Sequence, residues 1–570
     1  MSLPGWVDAD YRSHRPAGRL CASRVTGKVG DLQFQHGSSV PTTFGENTML
    51  FWRVKPLDKI LETAGKKALT RQLGAFQLTM LGIGAVIGTG IFVLTAEAGQ
   101  KAGPAMMVAF VIAAVVCALA ALAYAELASM VPVAGSAYTY TYGVLGEGLA
   151  WIVGWALVLE YAVAAGAVSV GWSGYMNGLL LHSNLFGLVE PGTLALPMAL
   201  RTGPYDGGVF NVLACGIALL VTWLLVIGTS KSAKVNAVLV SIKVAALIAF
   251  IVISVPAVQS ENFTPFFPSG WGSPMGGIGV LGAAASIFFA YVGFDAVSTA
   301  SEETKNPNRN IPIGLIGSLL ICTIFYLLVG YGAVGAAGST PMVGPDGVIL
   351  QPGTPEMAAV CLNHADALVC SKEPLAHVMR MIGFGKVGNM IGLAAALALP
   401  SVVLMMIYGQ TRIFFTMSRD GLLPEVLSRV HPKYHTPHVI TIITGVFVAL
   451  FGAMFPVGIL ADISNSGTLF AFIMVAIGVM ILRKQQPDRH RPFRTPFVWV
   501  VCPLAVAGCL LLFFNLSLYT ISLFFGWAII GLIVYRLYGY GHSDLGRGLK
   551  AAEGGPVLPP EPPFHEGPQA

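Results

Sequence analysis

Read along the chain, apolar residues come in long blocks separated by short polar connections, without the period-two alternation of half-buried strands. A bilayer's hydrocarbon core is about 30 Å thick and needs roughly 20 apolar residues of helix to cross it. Twelve blocks meet that requirement, at approximately 75-97, 103-130, 147-176, 209-229, 235-256, 276-301, 311-336, 386-415, 437-457, 460-482, 496-516 and 518-538. A transmembrane β-barrel would instead show segments of about ten residues alternating in polarity. The pattern predicts an all-α membrane protein with twelve transmembrane helices.

The ends differ from the middle. Residues 1-48 are of mixed polarity and lack an apolar stretch long enough for a signal-peptide core. They are predicted to be a disordered leader or an upstream extension, with Met49 as a candidate natural start. Residues 49-74, opening MLFWRVKPLDKILE, form a basic lead-in to the first block. Residues 539-570, ending GGPVLPPEPPFHEGPQA, are predicted to be a disordered tail.

Composition removes the soluble alternatives. Charged residues make up 11% of the 570 and apolar residues 55%, against roughly 25% charged in an ordinary soluble chain. If 49-74 is cytoplasmic, 22 of the 33 Lys and Arg fall in cytoplasmic connections and adjoining span ends, and five on the opposite face. Short cytoplasmic loops hold the excess of positive charge in membrane proteins, so a multi-pass protein of the cytoplasmic (inner) membrane with both termini in the cytoplasm is expected. The net charge of +5 is then orientation charge, and nucleic acid is not an expected partner. No GxxxxGK[ST], HExxH or GxSxG string occurs, and no Cys/His set has metal spacing, so neither an enzyme nor a metal site is expected. Cys117, Cys215, Cys322, Cys502 and Cys509 fall in blocks and Cys21 in the leader. Only Cys361 and Cys370 share an outward loop, where a disulfide can persist.

Two blocks are interrupted. The first reads LTMLGIGAVIGTGIFVL, with Gly82, Gly84, Gly88 and Gly90; the sixth reads GGIGVLGAAASIFFAYVGFDAVSTASEE, with Tyr291, Gly293 and Asp295 at its centre. Each glycine costs about 1 kcal/mol relative to Ala in a helix. Close packing through small residues accounts for one such block, but two, five spans apart, match transporters built from inverted repeats, whose substrate binds where corresponding helices break. Freed N–H groups at Gly88, Thr89 and Gly90 suit a carboxylate. Freed carbonyls of Val86, Phe289 and Ala290 suit an ammonium. Together they fit the backbone of an α-amino acid.

The strings GIGAVIGTGIF, YAELASMVPVAGSAYTYTY, FFAYVGFDAVSTASEETKNPNRNIP and GQTRIFFTMSRDGLLP, in this order and spacing, resemble the amino acid-polyamine-organocation superfamily, in particular its bacterial cationic-amino-acid-transporter-like permeases. The resemblance spans about residues 50 to 540. It implies a core of two inverted five-helix repeats, 75-256 and 276-482, with two peripheral helices at 496-538. It further implies secondary active amino acid transport by alternating access, with a proton gradient as the energy source and no cofactor. Expected partners are a cationic or neutral amino acid, protons and the lipid bilayer; the oligomeric state stays open. An amino acid/amine exchanger of the same fold and a membrane amino acid sensor are the alternatives.

Ionisable residues inside the blocks sharpen the picture. Lys243, in VLVSIKVAALIAF, either snorkels to the interface or faces the bundle, where lost hydration disfavours its charge and makes proton exchange feasible. The resemblance implies that its ammonium meets the Gly84 and Ile87 carbonyls, with Ser401 nearby, as the proton-coupling element. Glu160, in WALVLEYAV, either lines a side-chain pocket, favouring cationic substrates, or bonds a neighbouring helix. Asp295 either braces the unwound backbone after Gly293 or caps the second half-helix. Phe289 is a candidate gate or a packing residue, and Glu126 and Glu302-Glu303 are expected to pin connections.

Overall fold

The computed structural model describes residues 53–58, 60, 73–133, 135–182, 192–193, 195–228, 233–300, 304–434 and 436–547. The expectations for 1-48, most of 49-74, Glu302-Glu303 and the tail beyond 547 lie outside these residues.

The first half contains α1 (Ala75–Val86), α2 (Thr89–Phe92), α3 (Leu94–Ala102), α4 (Met106–Met130), α5 (Ser136–Val144), α6 (Glu147–His182), α7 (Met198–Arg201), α8 (Val212–Ile227) and α9 (Ala233–Ser254). The second contains α10 (Gly279–Ile287), α11 (Ala296–Thr299), α12 (Pro307–Ala337), α13 (Pro355–Asn363), α14 (Pro374–Met381), α15 (Gly385–Arg419), α16 (His438–Met454), α17 (Val457–Gln485), α18 (Val498–Phe514) and α19 (Leu518–Val534). No strand forms among the described residues beyond two isolated bridges. Among the described residues, seven helical segments are long and apolar enough to cross a membrane, and five shorter apolar helices accompany them. Every one of the twelve sequence blocks overlaps one of these.

The core is centred on α6, which packs along α15 and α17, while α12 packs along α1 and α4. The outward faces are as apolar as the inward ones: Trp223, Val252, Leu320, Ile324, Leu397, Leu450 and Ile529 are all exposed. In water so continuous an apolar surface would drive association; against lipid tails it costs nothing.

One connection adds to the sequence reading and one departs from it. The loop after α12 holds α13 and α14, the disulfide raised for Cys361 and Cys370 is formed, with an S–S distance of 1.99 Å, and the Gln100 amide donates to the Met342 and Leu350 carbonyls at 2.9 Å each. Lys372 of this loop pairs with Asp206 at 2.8 Å. Burial pushes the neighbouring Glu373 carboxyl up to about 7, although the Arg380 guanidinium beside it pulls the other way. Second, the tail expected to be disordered from 539 continues as helix over Tyr540–His542. It docks through the Asp544 N–H, which donates to the Asp420 carbonyl at 3.1 Å, and through Arg53, stacked 4.5 Å over the Tyr540 ring.

Candidate functional site

The two interrupted helices break where the glycines fall, and their breaks touch. Helix α1 ends at Val86; Ile87 and Gly88 are extended before α2 resumes at Thr89. Helix α10 tightens into a 3-10 turn over Phe288–Tyr291, and the chain turns through Gly293, at φ +112°, before α11. That φ is readily open only to glycine. Gly90 is required for a different reason: a Cβ there would lie 2.3 Å from the Ala290 Cα. The chain thus crosses itself backbone against backbone, between the second residue after one break and the last turn before the other.

Backbone groups freed inside an apolar bundle must find partners, and here side chains supply them. The fully buried Lys243 donates to the Gly84 carbonyl at 2.9 Å. The Tyr326 hydroxyl lies 2.8 Å from the carbonyl oxygens of both Val86 and Ala290, one on each broken helix. The Asn465 amide donates to the Ala285 and Ser286 carbonyls at 2.7 and 3.1 Å, where α10 ends. Tyr175 closes the end of α2, its hydroxyl donating to the Phe92 carbonyl at 2.7 Å. The Phe289 carbonyl accepts the Val292 N–H at 3.2 Å. By contrast the N–H groups of Thr89 and Gly90 form no hydrogen bond among the described residues, and the buried Thr89 hydroxyl has no partner.

A cavity of about 10 Å³ sits at the crossing, lined by backbone of Val86 and Gly88 to Gly90 and by the side chains of Val168, Phe289, Val292, Val402 and Met406. The structure therefore brings together the residues assigned from sequence to a carboxylate and an ammonium, with Phe289 as their aromatic wall. It leaves others apart. Glu160 is not in the lining: it faces α17, where Gly467 leaves room for its side chain and the Ser464 hydroxyl donates to its carbonyl at 3.2 Å. The Ser401 hydroxyl donates to the Ala398 carbonyl of its own helix at 2.7 Å, and Lys243 makes no hydrogen bond to it or to Ile87 among the described residues. Asp295 stands at the N-cap of α11 without a side-chain cap bond; its carboxylate accepts the Tyr161 hydroxyl at 3.0 Å.

Ionic clusters flank the crossing along the helices. In one, Lys101 of α3 meets Asp462 of α17 at 3.1 Å and bonds Ser286 of α10, which in turn bonds Asp462. Lys101 is one of the five basic residues that the charge count places on the opposite face, with Arg201, Lys372, Arg380 and Lys386; it is buried because α3 runs on to Ala102 and turns directly into α4 through a 3-10 turn. In the other, Glu126 accepts two bonds from Arg483 at 2.8 Å and one from the Thr495 N–H at 2.8 Å. Lys55 pairs with Asp420 at 2.7 Å, and Tyr138 donates to the same carboxylate at 2.8 Å.

Tyr326, Asn465, Tyr175 and the Lys101 cluster were missed in the sequence. Only α17 carried a usable signal, the polar string ADISNSGT inside an apolar block. Among the described residues, no three His, Cys, Asp or Glu side chains are grouped as metal ligands.

Known proteins match this arrangement over most of its length. A family profile described as "Amino acid permease" matches residues 73–537. The branched-chain amino acid permease BcaP of Bacillus subtilis (strain 168) is 44% identical over 498 residues, covering 86% of this chain and 97% of that protein. The methylthioribose transporter of the same organism is 39% identical over 499 residues, 87% and 99% of the two chains. A vacuolar cationic amino acid transporter of Arabidopsis thaliana, number 4, is 35% identical over 440 residues, 76% and 67%.

Proposed function

The chain belongs to the amino acid permease family, and from that premise we propose that it imports neutral amino acids with branched or otherwise apolar side chains, driven by protons. The observation that carries the substrate class is the lining of the cavity at the helix crossing: its side chains are Val168, Phe289, Val292, Val402 and Met406, with no carboxylate among them. A cationic side chain there would lose its hydration without a counter-charge, at a cost of several kcal/mol. A branched aliphatic side chain gains about 1.5–3 kcal/mol by the same burial.

The substrate's carboxylate is held by the N–H groups of Thr89 and Gly90, at the positive end of a half-helix. Its ammonium is held by carbonyls of Val86, Phe289 and Ala290. The Tyr326 hydroxyl has one proton for two carbonyls, so one of the pair always keeps an acceptor for the ammonium. Room for about one water molecule does not admit an amino acid, so α2 and α10 must part for loading. In this reading twelve spans, with two five-helix inverted repeats as the core and both termini cytoplasmic, alternate access across the cytoplasmic membrane. Lys243 couples the cycle to protons: its ammonium holds the Gly84 carbonyl two residues before the break, and loss of that proton removes a charged donor from the end of α1.

Uptake into proteoliposomes with an inward proton gradient tests this. Leucine, isoleucine and valine should compete for uptake while arginine and lysine do not; equal competition by arginine would overturn the substrate class. A second reading has support in the methylthioribose-transporting relative, since an apolar cavity walled by Met406 also accepts a thioether. Methylthioribose belongs in the same competition series. Uptake into empty vesicles separates the proton-driven permease from an exchanger, which needs internal counter-substrate, and from a sensor, which takes up nothing.

A further inference from the structure

A second, larger cavity lies away from the helix crossing. It has a volume of about 570 Å³ and runs between the start of α12 and the connection from α17 to α18, lined by Asn308, Arg309, Ile313, Ile316, Gly317 and Phe493 among others. Its polarity is graded. Asn308 and Arg309 stand at one end in the first turn of α12, and everything beyond them is apolar. The stripe continues past the cavity on the same helix face through Leu320 and Ile324, which are 61% and 54% exposed. From Arg309 to Ile324 is about 22 Å of helix at 1.5 Å per residue, somewhat more than the roughly 15 Å thickness of one hydrocarbon leaflet.

Charge separates this groove from an ordinary lipid-facing surface. The connection that forms its second wall is rich in arginine, and most of that charge is already committed. Arg483 is bonded to Glu126, Arg489 pairs with Asp58 at 2.8 Å, and Arg491 donates to the Leu482, Gln486 and Pro487 carbonyls and lies 3.3 Å from Glu126. Arg309, in the lining, and Arg494, the residue after the lining Phe493, pair with no acidic group among the described residues. Both are exposed.

We propose that this groove binds a phospholipid with an anionic head group, its phosphate on Arg309 and Arg494 and one acyl chain along Ile313, Ile316 and Gly317. A cation at one end of a leaflet-deep apolar channel matches an amphiphile in the bilayer; a soluble peptide or nucleotide would leave the apolar end unused. Gly317 lines the channel, and a Cβ there would meet Thr79 of α1 at 3.6 Å, an ordinary contact. The bound lipid bridges α12 and the α17–α18 connection. The inference does not depend on which substrate the permease carries.

Native mass spectrometry of the full-length protein, titrated with phosphatidylglycerol and with phosphatidylcholine of the same acyl chains, tests it. The unaltered protein should retain phosphatidylglycerol in preference. Arg309→Gln and Arg494→Gln should each cut that preference about five-fold, as expected for one cation near a lipid phosphate, while Arg309→Lys retains most of it. Gly317→Leu should weaken both lipids by filling the channel. Equal retention of the two lipids by the unaltered protein would overturn the proposal, as would a preference unchanged in the double glutamine variant. Displacement of the bound lipid by millimolar inorganic phosphate would assign the arginines to free phosphate and likewise overturn it. The arginine substitutions are at exposed positions, so the test survives if Gly317→Leu fails to fold.

Discussion

Beside the first helix break stands a buried cation, and beside the second a buried anion. Lys243 donates to Gly84 in the last turn of α1, where the helix dipole leaves partial negative charge. Asp295 stands at the start of α11, where the dipole is positive, and is tied to Tyr161. Each break is thus matched to the sign of the helix end it leaves open. The difference lies in what each side chain is bonded to. Among the described residues the Lys243 ammonium donates to main chain, the Gly84 carbonyl, whereas the Asp295 carboxylate accepts from a side chain, Tyr161, and its carbonyl accepts from Ser298. In the proposed cycle the first break is held by a group that a change of protonation releases. The second is held by a hydrogen-bonded brace.

The contrast can be broken in order of expected effect. Gly90→Ala should be the most damaging, because the added methyl meets backbone and not a side chain that can turn away. Overpacking of this kind costs about 1–3 kcal/mol, and initial uptake rates should fall to background. Gly88→Ala, whose Cβ would lie 3.4 Å from Val402, should retain measurable uptake; equal loss in both would mean that the crossing is not what matters. Next, Lys243→Met should abolish the stimulation of uptake by an inward proton gradient while counterflow exchange persists. Asp295→Asn should keep that stimulation, since an amide oxygen still accepts from Tyr161. Identical pH responses of the two variants would erase the proposed division of labour.

Smaller effects sharpen it. Tyr326→Phe strips the shared hydroxyl from Val86 and Ala290 and should destabilise the protein by about 1–3 kcal/mol, read as a lower thermal transition, and should alter KM more than the maximal rate. Glu373→Gln is the control for pH effects that arise away from the breaks. With its folded-state value raised to about 7 from 4.5, Glu373 binds a proton more readily in the folded protein than in the unfolded one. Its contribution to stability is therefore present below about 4.5 and lost as pH rises through 7. The thermal transition should drop between pH 5 and pH 8, and Glu373→Gln should flatten that drop without changing proton-driven uptake.

What the sequence discloses here follows from what the bilayer demands. Apolar blocks, glycine-rich interruptions and a lone lysine in VLVSIKVAALIAF are conspicuous because hydrocarbon penalises every departure from apolar helix. Both breaks were accordingly legible; the Lys243–Gly84 bond came from the family resemblance, which also implied contacts to Ile87 and Ser401 that do not form among the described residues. Tyr326 was not, since a tyrosine in an apolar block is unexceptional and its partners lie 36 and 240 residues away. Asn465 and Asp462 act on residues 180 and 361 positions distant, and nothing local specifies those pairings. Lys101 shows the limit of counting charges, which assigns a side of the membrane and says nothing about burial. Glu160 and Ser401 were conspicuous for polarity alone; the Ser401 hydroxyl donates to its own helix backbone, and Glu160 stands outside the cavity with its carbonyl accepting from Ser464.

The contact between Gly90 and Ala290 has a mechanical consequence. Side chains ordinarily sit between packed helices and can change rotamer, so small displacements are absorbed before they reach the neighbour. Where main chain bears directly on main chain there is no such slack, and the two junctions behave as meshed teeth without backlash. On the proposed reading, a ligand wedged there cannot shift one junction and leave the other at rest, so loading and reorientation become a single event instead of two loosely timed ones.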